Sequence, residues 1–207
     1  MSNGNFEIET AMAIECLARD NGVIVVPTDT TYGVICRLDR LQAIDRIYEL
    51  KGRDRSKPLI ILGHSVASLL PFVEGDRKNI EVLGGQFWPG ALTIVARSSM
   101  KVPPEIMSGG TTVGLRVPDH KGLLRLLSLL PDGAVASTSA NLSGAPTPKV
   151  IDEVIASLSD KIDYILPDCD ESPAGTESTI IDVTSSEPKI LRAGALDKES
   201  IVKVLKR

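Results

Sequence analysis

The nine residues from Lys51 to Leu59, "KGRDRSKPL", hold four cations and one acid, in a 207-residue chain whose formal net charge is -4. Lys51, Arg53, Arg55 and Lys57 alternate with small or polar residues between a helix-like run, "LQAIDRIYEL", and an apolar one, "PLIIL". A connection of this composition reads either as a solvated charged loop or as a clamp on phosphate, since arginine matches phosphate oxygens two at a time. An acidic chain is a poor whole-surface binder of nucleic acid or of an anionic membrane, so any anion site has to be local.

Five other stretches carry chemistry-bearing side chains. "VVPTDTTYGV", Val25 to Val34, sets Thr28, Asp29, Thr30, Thr31 and Tyr32 between two apolar runs; it is a hydroxyl-rich turn or a strand-end ligand loop. "ASTSANLSG", Ala136 to Gly144, leaves a strand-like run with four hydroxyls and an asparagine. It can form a capping turn or a nest of backbone N–H groups for an anion. Arg116, in "TTVGLRVP", lies in a run apolar enough to be buried, so it needs either an ion-pair partner or an anionic ligand. Ser178 and Thr179 open the strand-like "ESTIID", and Arg192 ends "KILRAG".

Several chemistries are disfavoured. Cys16, Cys36 and Cys169 are scattered, there is no CxxC pair, and the histidines are His64 and His120. That argues against a zinc site and fits a reducing cytosol, so the expected location is cytoplasmic. The start "MSNGNFEIET" lacks the basic and apolar regions of a signal peptide, and the apolar runs are too short to span a bilayer. Neither GxxxxGK[ST] nor GxGxxG is present, so a nucleotide enzyme would need another phosphate device.

These loops need a frame, and the patterning predicts a helix-covered mixed sheet in one domain spanning 1–207, with eight or nine strands. "EIETAMAIECLARD" reads as a helix stopped by a C-cap at Asn21-Gly22. "VIVVP", "GVICRL", "PLIIL", "ALTIVAR", "TTVGLRV", "AVAS", "DYIL", "STIIDV" and "KILR" read as strands, the last two as an antiparallel hairpin. Asp39 with Gln42 predicts a capping box for a helix from Leu41 to Lys51, and helical patches follow over Ser65–Leu70 and Asp76–Phe87. Asp119 is expected to cap "HKGLLRLLSLL", Thr147-Pro148 to open a later helix, and Asp197 to cap the last one. Helical crossovers mixed with hairpins predict parallel and antiparallel pairs together.

Seven segments in this order, "PTDTTYG", "KGRDRSKPL", "WPGALT", "TVGLRVP", "STSANLSG", "ESTIID" and "ILRAGAL", resemble the YrdC domain family of threonylcarbamoyl-AMP synthases, over about Val23 to Leu196. The resemblance implies a twisted α/β sheet with a concave, positively charged cavity, in the family's single-domain form. It implies formation of threonylcarbamoyl-AMP and pyrophosphate from L-threonine, bicarbonate or CO2, and ATP. A separate tRNA threonylcarbamoyltransferase system then uses the product, with at most a weak direct contact to tRNA. On the ATP side it points to Lys51, Arg53, Lys57, Thr112, Ser139, Asn141, Thr147 and Arg192, with Lys51 and Arg53 as the catalytic phosphate clamp. On the threonine side it points to Thr31, Arg116, Ser137 and Ser178. Mg2+ is implied as a companion of ATP without a dedicated protein cage. The chain departs from the family pattern at Leu62, where histidine is common near threonine, and at Thr138 and Ala193.

Two rival functions share these residues: an RNA-binding module using the basic cavity, and a domain handling carbamoyl-adenylate within hydrogenase maturation. An aromatic content of 3% offers few platforms for stacking bases.

Overall fold

The computed structural model describes residues 3–168 and 171–206; Cys169 lies outside the described residues. The strands are β1 (Ile24–Val26), β2 (Gly33–Cys36), β3 (Ile60–Gly63), β4 (Leu92–Arg97), β5 (Thr112–Arg116), β6 (Ala134–Ser139), β7 (Tyr164–Ile165), β8 (Thr179–Asp182) and β9 (Lys189–Arg192). They form one nine-stranded sheet in the order β7-β1-β2-β6-β3-β5-β4-β8-β9. β1 with β7, β3 with β5 and β4 with β8 run parallel. The other neighbours are antiparallel, including the expected β8–β9 hairpin. The sheet is therefore mixed, as the patterning predicts.

The helices are α1 (Asn3–Ala18), α2 (Leu41–Lys51), α3 (Val66–Leu69), α4 (Lys78–Phe87), α5 (Pro104–Met107), α6 (Lys121–Ser128), α7 (Ile151–Leu158) and α8 (Lys198–Leu205). Successive strand residues point to opposite faces, and this alternation sorts the core into two. Val25, Val34, Cys36, Ile61, Ile94, Leu115 and Ile181 pack with residues of α2, α4, α5, α7 and α8. Ile24, Val26, Ile35, Leu62 and Val135 pack on the other face with Ala13 and Leu17 of α1 and Leu123, Leu126 and Leu127 of α6. The second layer covers only part of its face. Beyond it, the same face of β4, β5, β6 and β8 presents Thr93, Val95, Thr112, Gly114, Arg116, Ser137, Ser139 and Ile180 to a cavity.

Helix α2 spans its expected residues, but several end signals act differently from their sequence reading. α1 ends at Ala18, not at an Asn21-Gly22 cap. Gly22 is required there by close approach, because a Cβ would fall 2.0 Å from the Cys16 carbonyl oxygen. Asp39 forms no capping box; its carboxylate is held bidentately by Arg37 at 2.8 and 2.7 Å, and the N-cap of α2, Arg40, has no side-chain cap bond. Helix α6 is capped by His120, whose Nδ1 accepts from Leu123 N–H at 3.1 Å, while Asp119 offers its own N–H to Asp29. Thr147-Pro148 does not open α7, which starts at Ile151 with Glu153 reaching back to accept the Lys149 N–H at 2.7 Å. The short α5 has no counterpart in the sequence reading. Asp197 caps α8 as expected, accepting from Ser200 N–H at 2.8 Å.

Candidate active site

The uncovered part of the sheet is the floor of a cavity of about 580 Å³. Its walls come from the loops at the strand ends. On one side, Thr28 braces the loop after β1: its hydroxyl accepts from the N–H groups of Thr30 and Thr31, each at 3.1 Å, and donates to the Thr31 carbonyl at 2.6 Å. The segment before β8 is fastened to that loop. Ala174 and Gly175 donate to the Asp29 and Thr30 carbonyls at 3.2 and 2.8 Å, and the Tyr32 hydroxyl meets Asp168 at 3.1 Å. Burial first, and Asp168 second, push the Tyr32 hydroxyl up to about 12, so it stays a donor.

Arg116 lies at this end of the cavity, 4% exposed. Its Nε donates to the Gly90 carbonyl at 2.9 Å, its Nη1 to the Thr30 hydroxyl at 2.7 Å, and its Nη2 to the Asp29 carboxylate at 2.5 Å. The ion-pair partner that its buried strand demands is thus Asp29, while Arg116 still lines the cavity. Burial depresses the guanidinium pKa and the Asp29 charge opposes that depression.

The cluster that opens the sequence divides into separate roles. Gly52 ends α2 in the left-handed region at φ 56°, a conformation that glycine takes without Cβ strain. Lys51 before it turns inward and Arg53 after it turns to the cavity. Lys51 is not the solvent-facing residue its composition suggested: it is 2% exposed. Its Nζ donates to the main-chain carbonyls of Ser139 and Asn141, under the loop that follows β6. Burial, with the nearby Arg53 charge second, brings its amine down to about 7. Arg53 braces its own loop through the Lys57 and Pro58 carbonyls at 3.1 and 2.9 Å, and burial lowers its pKa. Arg55 points elsewhere, pairing with Asp45 at 2.5 Å above the ring of Tyr48.

Arg53, Lys57, Thr112, Ser139, Arg192, Thr31, Arg116, Ser137 and Ser178 all line this one cavity, although they come from six separate segments. Lys51, Asn141 and Thr147 do not line it. Asn141 instead folds its own loop, donating to the Leu142 and Ala145 carbonyls at 3.1 and 2.7 Å. Thr147 is half-buried in the segment before α7. At the far side Arg192 donates to the Ser178 carbonyl at 2.8 Å and pairs with Glu177 at 2.8 Å. The Ser178 hydroxyl lies 2.8 Å from that of Thr93. The residues expected on the two sides of the site therefore meet at Ser178 and Arg192.

Asp29, Thr93 and Glu177 escaped the sequence reading of the site. Asp29 had a signal: it is the one acid of the "TDTT" loop, and a buried arginine requires a carboxylate. Thr93 and Glu177 lie within "WPGALT" and "ESTIID", but nothing in those segments pairs them with Ser178 and Arg192. Among the described residues the cavity is lined by four cations, Arg53, Lys57, Arg116 and Arg192, and by one carboxylate, Glu177. Among the described residues no group of three or more His, Cys, Asp or Glu comes together to hold a metal ion, and no helix is long and apolar enough to cross a membrane. Leu62 lines the cavity, 1% exposed, with its side chain in the second core.

A nine-stranded mixed sheet with a polar cavity on one half-covered face defines a class. The chain belongs to the Sua5, YciO and YrdC family, described as telomere recombination, whose profile matches residues 16–194. Threonylcarbamoyl-AMP synthase of Pyrococcus abyssi is 38% identical over 187 residues, covering 90% of this chain and 54% of that protein. The Bacillus subtilis enzyme of the same name is 35% identical over 192 residues, covering 91% and 54%. The chain thus spans about half the length of these relatives. The crystal structure of Pyrococcus abyssi Sua5 complexed with L-threonine superposes with a TM-score of 0.86 at 33% identity, covering 99% of this chain and 58% of that one.

Proposed function

We propose that this protein forms L-threonylcarbamoyl-AMP and pyrophosphate from L-threonine, bicarbonate or CO2, and ATP. The observation that carries this reading is the convergence of one cavity from distant segments. It has a buried arginine among hydroxyls, with Arg53 and Lys57 on the loop before β3 and Arg192 on β9, three strands away from Arg116 but level with it along the sheet. Arg116 holds the threonine carboxylate; Thr31, Ser137 and Ser178 surround the remaining polar atoms. Arg53 and Lys57 take the nucleotide phosphates, with Arg192 and Thr112 beside them.

The chemistry follows from placing the two substrates in contact. Threonine's ammonium loses a proton to solvent, and its neutral amine attacks the carbon of CO2, opening one C=O bond and releasing a second proton from nitrogen, to give a carbamate; from bicarbonate the same attack expels a hydroxide, which leaves as water with that proton. A carbamate oxygen then attacks the α-phosphorus of ATP and the bond to the β-phosphate oxygen breaks, releasing pyrophosphate. No covalent enzyme intermediate is needed, so positioning and charge neutralisation do the catalytic work. In this reading Mg2+ would arrive on the nucleotide, where it would neutralise phosphate charge and draw its ligands mainly from phosphate and water oxygens. The product is a reactive mixed anhydride, so its consumer must be a transferase that delivers the threonylcarbamoyl group to a nucleophile, in our reading a tRNA adenosine.

The test is pyrophosphate release with each substrate omitted in turn. Release that requires threonine, bicarbonate and ATP together is the expected result. Equal release without threonine would make the protein an ATPase, and no release under any condition would favour a binding module.

A further inference from the structure

The four cations of the cavity raise a problem of selectivity. In the synthase reading one cavity takes a polyphosphate and a zwitterion side by side. A bare arginine does not distinguish a carboxylate from a phosphate, and its fork fits both. Phosphate, with more charge, would win. Something must keep it off the amino-acid end.

Arg116 differs from the other three cations in its partner. Arg53 donates to carbonyls. Arg192 pairs with Glu177, whose carboxylate lines the cavity and is 45% exposed, so an incoming anion can displace it. Asp29 is not part of the cavity lining and is 19% exposed, against 5% for the Arg116 side chain. It cannot be pushed aside easily. Its Oδ1 also accepts the Asp119 N–H at 3.0 Å, and its carbonyl accepts Ala174 N–H at 3.2 Å. Three loops are thus tied at this residue, and in a water-poor site its charge acts strongly on its neighbour.

We propose that Asp29 is the specificity-determining residue of the amino-acid end: paired with Arg116 from behind, it cancels that arginine's charge and reserves it for the carboxylate of a zwitterion, excluding phosphate. This inference rests on the synthase reading. Arg116 has five N–H donors, and its three bonds to Gly90, Thr30 and Asp29 leave one N–H on each terminal nitrogen among the described residues. The donors for a carboxylate remain, while the net charge that would attract a phosphate is removed. An amino acid carries its own ammonium, so a near-neutral subsite costs it little. A second polyphosphate gains nothing there.

The experiment is isothermal titration of inorganic phosphate and of L-threonine into wild type, Asp29→Asn, Arg116→Gln and the double variant. Asp29→Asn keeps the shape and a hydrogen-bond acceptor but loses the charge. Phosphate is expected to bind this variant about tenfold more tightly or better, the gain vanishing when Arg116→Gln is added, and to compete with threonine. In wild type, phosphate should leave threonine binding unchanged. Phosphate competing with threonine in wild type would overturn the proposal. So would an Asp29→Asn variant that loses threonine affinity with no gain for phosphate, which is the behaviour of a structural brace. Should that variant fail to fold, the wild-type competition decides alone. Failure of wild type to bind threonine would refute the synthase reading instead, with the phosphate comparison still deciding the role of Asp29.

Discussion

Lys51 and Arg53 stand two residues apart, share a charge sign, and face different environments because Gly52 turns the chain between them. Arg53 lines the cavity; Lys51 supports the loop that carries Ser139 and Asn141. Their substitutions should therefore separate. Arg53→Ala removes a charged hydrogen bond worth about 1.5–3 kcal/mol, so ATP binding should weaken about tenfold or more with thermal stability near wild type. Lys51→Met takes the charged donor from two half-buried carbonyls and should cost roughly 1–3 kcal/mol of stability. Its pH signature distinguishes it further. The folded-state value of about 7 lies below the 10.5 of an ordinary lysine. Between those values the unfolded chain holds a proton that the folded chain has released. This lysine therefore makes stability rise with pH across that window, and contributes no slope below it. Thermal unfolding of wild type and Lys51→Met from pH about 7 to about 10 measures the difference. Parallel curves would mean that Lys51 titrates like a surface lysine.

At the scale of elements, strand β5 shows how one run of sequence serves core and site together. Val113 and Leu115 face the first core while Thr112, Gly114 and Arg116 face the cavity. Gly114 is the flat centre of that floor: a Cβ there would meet Ile60 Cγ2 at 2.8 Å and Thr93 Cγ2 at 3.4 Å. Gly114→Ala should cost roughly 1–3 kcal/mol by overpacking and raise KM for both threonine and ATP. Gly85→Ala, in α4 with open space around the new methyl, should gain roughly 0.5–1 kcal/mol and leave both KM values alone. Unchanged KM values in a folded Gly114→Ala variant would mean that neither substrate rests on this strand. Alternation of this kind is why the strands, their hairpin and the mixed sheet were legible in the sequence. The helix ends were less so: Asp197 caps α8 as expected, but the other acidic caps are not formed. Arg37 drew Asp39 away from α2, and at α6 His120 took the cap while Asp119 donated to Asp29. The depth of Lys51 was equally hidden, since a lysine in a charged run carries no sign of the two carbonyls waiting across the fold.

At the scale of the whole molecule, the two cores differ in what they support. The first lies under one face of the sheet and meets the cavity at the loop residues Tyr32 and Leu59. The second is continuous with the cavity wall: Leu62 belongs to both, with Ile60 packed against the same cluster, and Leu62 is registered opposite Arg116 across β3 and β5. A void opened in the second core should therefore reach the amino-acid end of the site, whereas one in the first should stay a matter of stability. Leu126 of α6 and Leu83 of α4 make a matched pair, both 0% exposed, one in each core. Replacing either with Ala should cost about 2–5 kcal/mol. Only Leu126→Ala should also raise the threonine KM, since Leu62 can relax towards the vacated volume and take the β3–β5 register at Arg116 with it. The check is chemical denaturation for stability, followed by threonine titrations at a temperature where both variants remain folded. Equal threonine KM values in the two variants would show that the sheet isolates its faces, and that the site depends on the strand-end loops alone.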